Sequence, residues 1–341
     1  MDNKRNIHLD ALKGLAIILV VTGHIIAFSH PGTVDKSLLF NVIYSFHMPL
    51  FFFISGYLVF GRFGPTTSGW IQKKFGQLII PYTIFTIFYF FILFSPSLSA
   101  VTPVRVFQVF FSFTVPDSAW FLPVLFESFI ILSLCIAVEK FLGKFSYITF
   151  FILVSCILPL TSLTTISAVH QIVFYTPFVV IGYLASEYKD KISCNVPVIE
   201  ISGSFLFLLL FVLKFWKLLP ANFFNLYYSY VVALAGIILS WLVVEKIIHM
   251  KISHIFVFCG ILSMEIYLTH LVILNYFTFR QWPLWFGTGL TAIISGTIVL
   301  LTISVILSLI LSYNKKISSL IFGRWSWQYL FSHEKEKLRG T

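Results

Sequence analysis

The sequence predicts an all-α, polytopic membrane protein with about ten transmembrane helices and with both termini in the cytoplasm. Composition is the first observation behind this fold class: 58% of the 341 residues are hydrophobic and only 11% are charged, whereas a soluble domain carries about 25% charged residues. The second observation is that the apolar residues form runs of about 20, the length that a helix needs to cross a bilayer. One soluble core could not bury so much apolar surface, so the lipid bilayer is the expected solvent.

Ten apolar runs, separated by short polar or basic connections, are the expected spans. The fifth run is short and ends near Pro159, and the tenth is long enough to tilt or to break at Gly296. In chain order the predicted spans are Leu9–Ser29, Leu38–Phe60, Gly76–Phe94, Ala119–Val138, Phe145–Leu160, Ser167–Ser186, Val196–Phe215, Leu226–Val244, Ile255–Phe277 and Phe286–Leu311.

The basic residues predict the orientation of these spans. If the N-terminus is inside, 18 of the 23 Lys and Arg residues lie on the inner side and the other five lie outside. Cytoplasmic loops carry such an excess of Lys and Arg. The net charge of +10 is therefore assigned to membrane topology, and no nucleic-acid partner is expected. We expect a single transmembrane domain over residues 1–341, in which residues 314–341 form a basic cytoplasmic tail that lies on anionic lipid.

Ionisable residues within the spans are candidates for function, because burying a charge in a bilayer is costly. Lys13 and His24 lie about three helical turns apart, so both project from one face of the first span, roughly 16 Å apart along its axis. A cation at the cytosolic mouth suits a phosphate-bearing ligand, and a histidine deeper in the membrane suits proton transfer. The alternative is that Lys13 extends to the interface and His24 makes an interhelical hydrogen bond.

The second span carries His47, which runs inward from the outer face and is expected to reach a depth similar to that of His24. Two histidines on neighbouring helices favour proton chemistry. A metal needs three or more ligands, and neither the histidines nor the cysteines provide a convincing set. No metal site and no disulfide framework are therefore predicted; the cysteines are Cys135, Cys156, Cys194 and Cys259.

Several motifs, in order along most of the chain, resemble those of the membrane-bound acyltransferase 3 family. The first-span motif ends at His24, the second-span motif contains His47 and the late motif ends at His270. The matching segments are Leu9–Ala16, Val20–His24, Phe46–Tyr57, Gln77–Tyr82, Trp120–Leu122, Pro177–Gly182 and Ser263–His270.

The resemblance implies a ten-helix enzyme that takes an acyl group from cytosolic acyl-CoA and transfers it to a glycan hydroxyl. Lys13 and His24 correspond to the family's paired arginine and histidine, and lysine at the first position is expected in the branch that resembles fucose O-acetylases. Lysine keeps the charge but loses the bidentate geometry of arginine for phosphate. A second basic motif of the family is only partly kept, at Lys73 and Lys74.

For this reaction His24 is the expected general base, and His47 is expected to orient His24 or to hold the acceptor. The donors for the developing oxyanion stay open among Ser55, Tyr57 and Tyr267. The cations expected to meet the CoA phosphates are Lys13, Arg62, Lys73 and Lys74. No bound cofactor is expected, and acetyl-CoA is the expected co-substrate.

Three further intramembrane groups have open roles. Glu127 is a candidate orienting carboxylate for a histidine, Glu265 pairs with a neighbouring helix or serves the site, and His270 contacts the acceptor or makes an interfacial hydrogen bond. Two other functions stay open: a proton-coupled transporter or flippase of glycan precursors, which also uses intramembrane His and Glu, and a non-enzymatic membrane subunit. The expected location is a bacterial-type cell membrane; the acceptor and the oligomeric state are left open.

Overall fold

A computed structural model describes residues 6–29, 34, 37–60, 67–94, 120–161, 167–192, 202–203, 205–207, 209, 224–276 and 289–323. Within these ranges the regular structure is helical, with no strand. The helices are α1 (Ile7–Ser29), α2 (Leu38–Tyr57), α3 (Thr67–Phe94), α4 (Phe121–Leu142), α5 (Phe145–Thr161), α6 (Ser167–Glu187), α7 (Lys189–Ile192), α8 (Phe224–Ile247), α9 (Ser253–Ile261), α10 (Ser263–Tyr276), α11 (Leu290–Tyr313) and α12 (Lys315–Phe322).

Six of the described helices are long and apolar enough to cross a membrane: α1, α2, α4, α6, α8 and α11. The bent pair α9–α10 raises this number to seven if it forms one span, and α5 is a shorter apolar helix. The predicted seventh span, Val196–Phe215, lies mostly outside the described residues. The all-α membrane fold is therefore confirmed, whereas the total of about ten spans stays a prediction.

The two faces of α11 show why the bilayer is the solvent of this fold. Ile294, Ile298, Ile306 and Ile310 are each more than half exposed on the outer surface of the helix bundle. The buried face of the same helix carries hydroxyl groups, among them those of Ser304 and Ser308. A soluble protein rarely exposes a continuous apolar face of this kind, so α11 presents its isoleucines to lipid.

The ninth predicted span is not one continuous helix. The chain breaks at Leu262, and α9 and α10 are bent by 80° relative to each other. Before the bend, α9 lies in backbone contact with α1: a Cβ on Gly14 would overlap the backbone of Phe256, and a Cβ on Gly260 would overlap the backbone of Asp10. After the bend, α10 contacts α11 through Thr269.

A second close crossing joins α2 to α6 through Gly56 and Gly182, each of which faces the backbone of the other helix. Small residues allow helices in membranes to approach in this way. The first crossing joins α1 to α9, which directly precedes α10, and the second joins α2 to α6; α1, α2 and α10 are the helices that carry His24, His47 and His270.

The first part of the predicted tail folds back onto the bundle. The ring of Phe322, at the end of α12, is fully buried and lies 6.4 Å from the ring of Phe85 on α3. Gly323 follows with a φ of 64°, a left-handed conformation that favours glycine. The lipid contact predicted for the tail as a whole remains a prediction, because residues 324–341 lie outside the described residues.

Candidate active site

Three histidines from three helices meet in the interior of the bundle. The ring centroids of His24 on α1 and His270 on α10 are 5.3 Å apart. His24 also interacts electrostatically with both His270 and His47 of α2. Sequence reasoning placed His24 and His47 together; the position of His270 against His24 is an addition that only the bend between α9 and α10 explains.

Backbone carbonyls set the proton positions on two of these rings. His47 Nδ1 lies 2.7 Å from the carbonyl oxygen of Ile43, and His270 Nδ1 lies 2.9 Å from that of Ile266. A carbonyl oxygen only accepts hydrogen bonds, so each Nδ1 carries a proton and donates. In the neutral ring the lone pair is then at Nε2, which is the atom that acts as a base.

The second ring nitrogen of His270, Nε2, is unusual because it is buried without a hydrogen bond to any described residue. His270 is fully buried, and its Nε2 has no hydrogen-bond partner in the described part of the chain. A buried polar atom without a partner destabilises the fold unless a ligand, a water or a reacting group forms a hydrogen bond with it. The arrangement therefore offers a proton-accepting atom inside the bundle, beside His24.

Aromatic side chains line this cluster. The ring of Tyr44 lies 4.8 Å from that of His47 and occupies the space beside Gly23, where a Cβ would come within 2.7 Å of it. The ring of Tyr267 lies 6.0 Å from that of His270, and its hydroxyl accepts a 3.3 Å hydrogen bond from the backbone N–H of Phe121. Tyr44 was not predicted, although a glycine directly before His24 was a signal for a close neighbour.

The predicted donor-site lysine is not a free cation. Lys13 Nζ lies 2.6 Å from the carboxylate of Asp10, one helical turn earlier. The Asp10 side chain is 5% exposed and that of Lys13 is 22% exposed. Asp10 was missed, although its spacing of three residues from Lys13 favours such a pair. The carboxylate holds the ammonium group beside the crossing of α1 and α9 and partly neutralises it.

The other predicted cations lie on a different helix. Lys73 is exposed on α3, and Lys74 Nζ lies over the rings of Trp70 and Phe129, 5.5 and 5.2 Å from their centroids. Arg62 lies outside the described residues. No described contact joins these lysines to Lys13, so their common role at a donor site stays a prediction.

Three of the predicted side chains are not brought to the histidines. Glu127 is exposed on α4 and forms no hydrogen bond or ion pair with a described residue, so it does not orient His24 or His47. Ser55 and Tyr57 follow His47 by about 12 and 15 Å along α2, because each residue rises 1.5 Å. Tyr57 instead shares a hydrogen bond with Ser186. These two side chains therefore lie too far along the helix to stabilise charge at His47.

Glu265 is fully buried in the first turn of α10. Its backbone carbonyl accepts a 2.8 Å hydrogen bond from the hydroxyl of Thr269. Among the described residues, no group of three or more His, Cys, Asp and Glu side chains is arranged to hold a metal. The chemistry that this arrangement offers is proton transfer between imidazole rings.

The fold and the site define an integral membrane protein with a buried histidine cluster. Residues 6–313 match the acyltransferase 3 family, described as "Acyltransferase domain", and the chain belongs to this family. The chain therefore carries a membrane acyltransferase domain.

Two curated relatives, both named Nodulation protein NolL, are similar to this chain. That of Sinorhizobium fredii is 31% identical over 197 residues, which cover 55% of this chain and 51% of the relative. That of Mesorhizobium japonicum is 26% identical over 194 residues, which cover 54% and 49% respectively. The chain thus matches about half the length of these relatives. No solved structure matches it.

Proposed function

We propose that this protein is a membrane O-acyltransferase that moves an acyl group, in the simplest case acetyl, from cytosolic acyl-CoA to a hydroxyl of a glycan. The contact between His24 and His270, inside a chain that carries the acyltransferase domain, is the observation that supports it. The acceptor is a cell-surface polysaccharide, an oligosaccharide or a lipid-linked glycan. The location that fits this route is a bacterial-type cell membrane.

The reaction is a transfer between a thioester and an alcohol. The acceptor oxygen forms a bond to the acyl carbon while the carbon–sulfur bond breaks, and the electron pair leaves with the sulfur of CoA. His24 takes the hydroxyl proton as general base. Its partial exposure, beside the fully buried His270, suits a group that meets a substrate.

The neighbouring histidines position His24 in this proposal. His47 and His270 are each tied through Nδ1 to a carbonyl one turn earlier on their own helix, so their rings have fixed orientations. A base that is held rigidly avoids the cost of reorganisation during the reaction. Of the three donors predicted for the oxyanion, Tyr267 has its ring 6.0 Å from that of His270, and a backbone N–H already orients its hydroxyl, so it is the proposed donor.

On the donor side, Lys13 meets the CoA phosphates, with Asp10 setting its direction. One helix then carries the phosphate contact at one end and the base about 16 Å further along. This separation suits an extended donor that enters from the cytoplasm while its acyl end reaches the histidines. The family resemblance suggests acyl-CoA as this donor, and the spacing is compatible with its length.

The test replaces His24 by Ala in purified protein in lipid nanodiscs, supplied with acetyl-CoA and a glycan acceptor. We expect at least about a hundredfold loss of O-acetyl transfer, the lower range for removing a general base. His254→Ala is the matched control, since His254 is exposed at the start of α9 and should leave transfer unchanged.

Mass spectrometry of the glycan, with and without the protein, measures the product directly. Normal O-acetylation by a well-folded His24→Ala protein would end the assignment of His24 as the base. Glycan movement across proteoliposomes that is independent of acyl-CoA would favour the transporter instead.

A further inference from the structure

The buried face of α11 carries a line of hydroxyl groups that the proposed reaction does not use. Its members are at most 7% exposed; three of them lie at successive turns, and Leu300 separates these from the first. Together with Thr269 of α10 they form what we call the polar stripe: Thr297, Ser304, Ser308, Ser312 and Thr269. From Thr297 to Ser312 the stripe extends over about 22 Å of helix.

Contacts connect the polar stripe to α10 and α1, two of the three helices that carry the site histidines. The Thr269 hydroxyl lies 3.4 Å from the Ser308 hydroxyl and 3.5 Å from the carbonyl oxygen of Ser304, and Thr269 directly precedes His270. At the other end, the Thr297 hydroxyl donates a 3.3 Å hydrogen bond to that of Thr22 on α1. The stripe therefore runs from the histidine cluster to the last turn of α11.

Close helix packing alone does not explain the stripe. Ser and Thr allow close approach as Gly and Ala do, and Thr297 and Thr269 donate to carbonyls four residues earlier, but every buried hydroxyl needs a partner. The Ser304 hydroxyl, which is fully buried, has no partner in the described part of the chain, and neither has His270 Nε2. A row of bound waters along the stripe would supply the missing hydrogen bonds of these two atoms, because a buried water makes two to four hydrogen bonds to polar groups.

We propose that the polar stripe is hydrated and conducts protons between the histidine cluster and the C-terminal end of α11, which the charge distribution assigns to the cytoplasm. This proposal rests on the proposed function for the origin of the proton. When the acceptor hydroxyl attacks, its proton moves to His24 and the electron pair of the carbon–sulfur bond leaves with CoA as a thiolate. His24 must lose that proton before the next turnover.

The route for this proton follows from the contacts. It passes from His24 to His270, the two rings being 5.3 Å apart, and then along water beside Thr269, Ser304 and Ser308. At the cytoplasmic end it neutralises the departing thiolate or enters bulk water. Protons and electrons balance in this transfer without an oxidant, a reductant or a further substrate.

Hydration of the stripe is tested without any activity. X-ray-generated hydroxyl radicals modify side chains next to bound water, and Leu300 lies on the stripe between Thr297 and Ser304. Leu132 of α4 is the control, since both leucines are fully buried. In nanodiscs we expect Leu300 to be modified several times faster than Leu132. Equal rates at the two leucines would overturn the proposal.

Proton conduction is tested with a double variant, Thr269→Val with Ser304→Ala. The matched control, Thr302→Val with Ser295→Ala, also removes one threonine and one serine hydroxyl, but from the more exposed side of α11. We expect the first variant to lower kcat roughly tenfold, to enlarge the solvent deuterium isotope effect and to keep the KM for acetyl-CoA. The control should match the wild type.

An unchanged kcat and isotope effect in the stripe variant would overturn conduction, and so would an equal loss in both variants. The two proposals fail separately. A wild-type protein without acyl transfer would overturn the proposed function, while fast modification of Leu300 would still support a hydrated stripe.

Discussion

In the proposed function, the ion pair between Asp10 and Lys13 would fix the lysine before the donor binds. A lysine side chain is flexible and strongly hydrated, so fixing its ammonium group normally costs entropy on binding. Here the Asp10 carboxylate, almost fully buried, already holds it at 2.6 Å. A phosphate of the donor would then meet a charge whose direction is set before binding.

This arrangement leads to a prediction for the donor site. Lys13→Ala should weaken acetyl-CoA binding roughly ten- to a hundredfold, because a hydrogen bond to a charged group contributes about 1.5–3 kcal/mol. Lys13→Arg should bind as the wild type does, since it keeps the charge. Isothermal titration calorimetry on purified protein measures both.

Lys140→Ala is the control for this prediction, because Lys140 is exposed near the end of α4 and should leave the affinity unchanged. The same affinity in Lys13→Ala and wild type would remove Lys13 from the donor site.

The histidine cluster shows which parts of the site a sequence can predict. His24 and His47 could be chosen as candidates from the sequence. Each is an isolated titratable group in an apolar run, and a titratable group in a bilayer is costly and therefore a candidate for function. The contact of His270 with His24 was not predictable, because it depends on the break at Leu262. The exposure of Glu127 on α4 was not predictable for a related reason: helical spacing locates a residue along its axis, but it does not say which face the neighbours cover.

Between helices, glycine decides how closely the elements pack. Gly14 and Gly260 bring the backbones of α1 and α9 into direct contact, which aligns α10 with α1. The pattern of apolar residues in the ninth predicted span is continuous through Leu262, so hydropathy gives no sign of the bend. The close contact with α1, a helix far away in the sequence, accompanies the bend and could not be predicted from this run alone.

A methyl group at this crossing should separate the two helices. Gly14→Ala would place a Cβ against the backbone of Phe256, where no flexible side chain can yield. Overpacking typically costs about 1–3 kcal/mol, so we expect a lower midpoint of thermal unfolding, together with loss of acyl transfer because His24 and His270 move apart.

Gly76→Ala is the matched control, since a Cβ there meets nothing within 4 Å. Fluorescence-detected gel filtration after heating measures both variants. Equal midpoints for Gly14→Ala and Gly76→Ala would show that the crossing is not a determinant of stability.

For the molecule as a whole, composition and hydropathy were sufficient to predict the solvent. The isoleucine face of α11 is exposed and its hydroxyl face is buried, the reverse of a soluble helix. The number of spans was harder to predict from the sequence, because an apolar run does not show whether the chain passes through the bilayer or turns within it. The bent pair α9–α10 is the place where this ambiguity matters most.

Either α9 and α10 together cross the bilayer as one span, or the pair turns within it. The sides of the membrane on which Met250 and Leu290 lie will decide between these two topologies. Met250 precedes α9, between Lys246 and Lys251, and Leu290 begins α11; both side chains are more than half exposed. If α9 and α10 together form one span, the charge distribution predicts Met250 inside and Leu290 outside. In a background with Cys135, Cys156, Cys194 and Cys259 replaced, a membrane-impermeant maleimide should then modify Leu290→Cys on intact cells. It should reach Met250→Cys only after permeabilisation. Modification of both positions from the same side would show instead that the pair turns within the bilayer, and the ten-span topology would have to be revised.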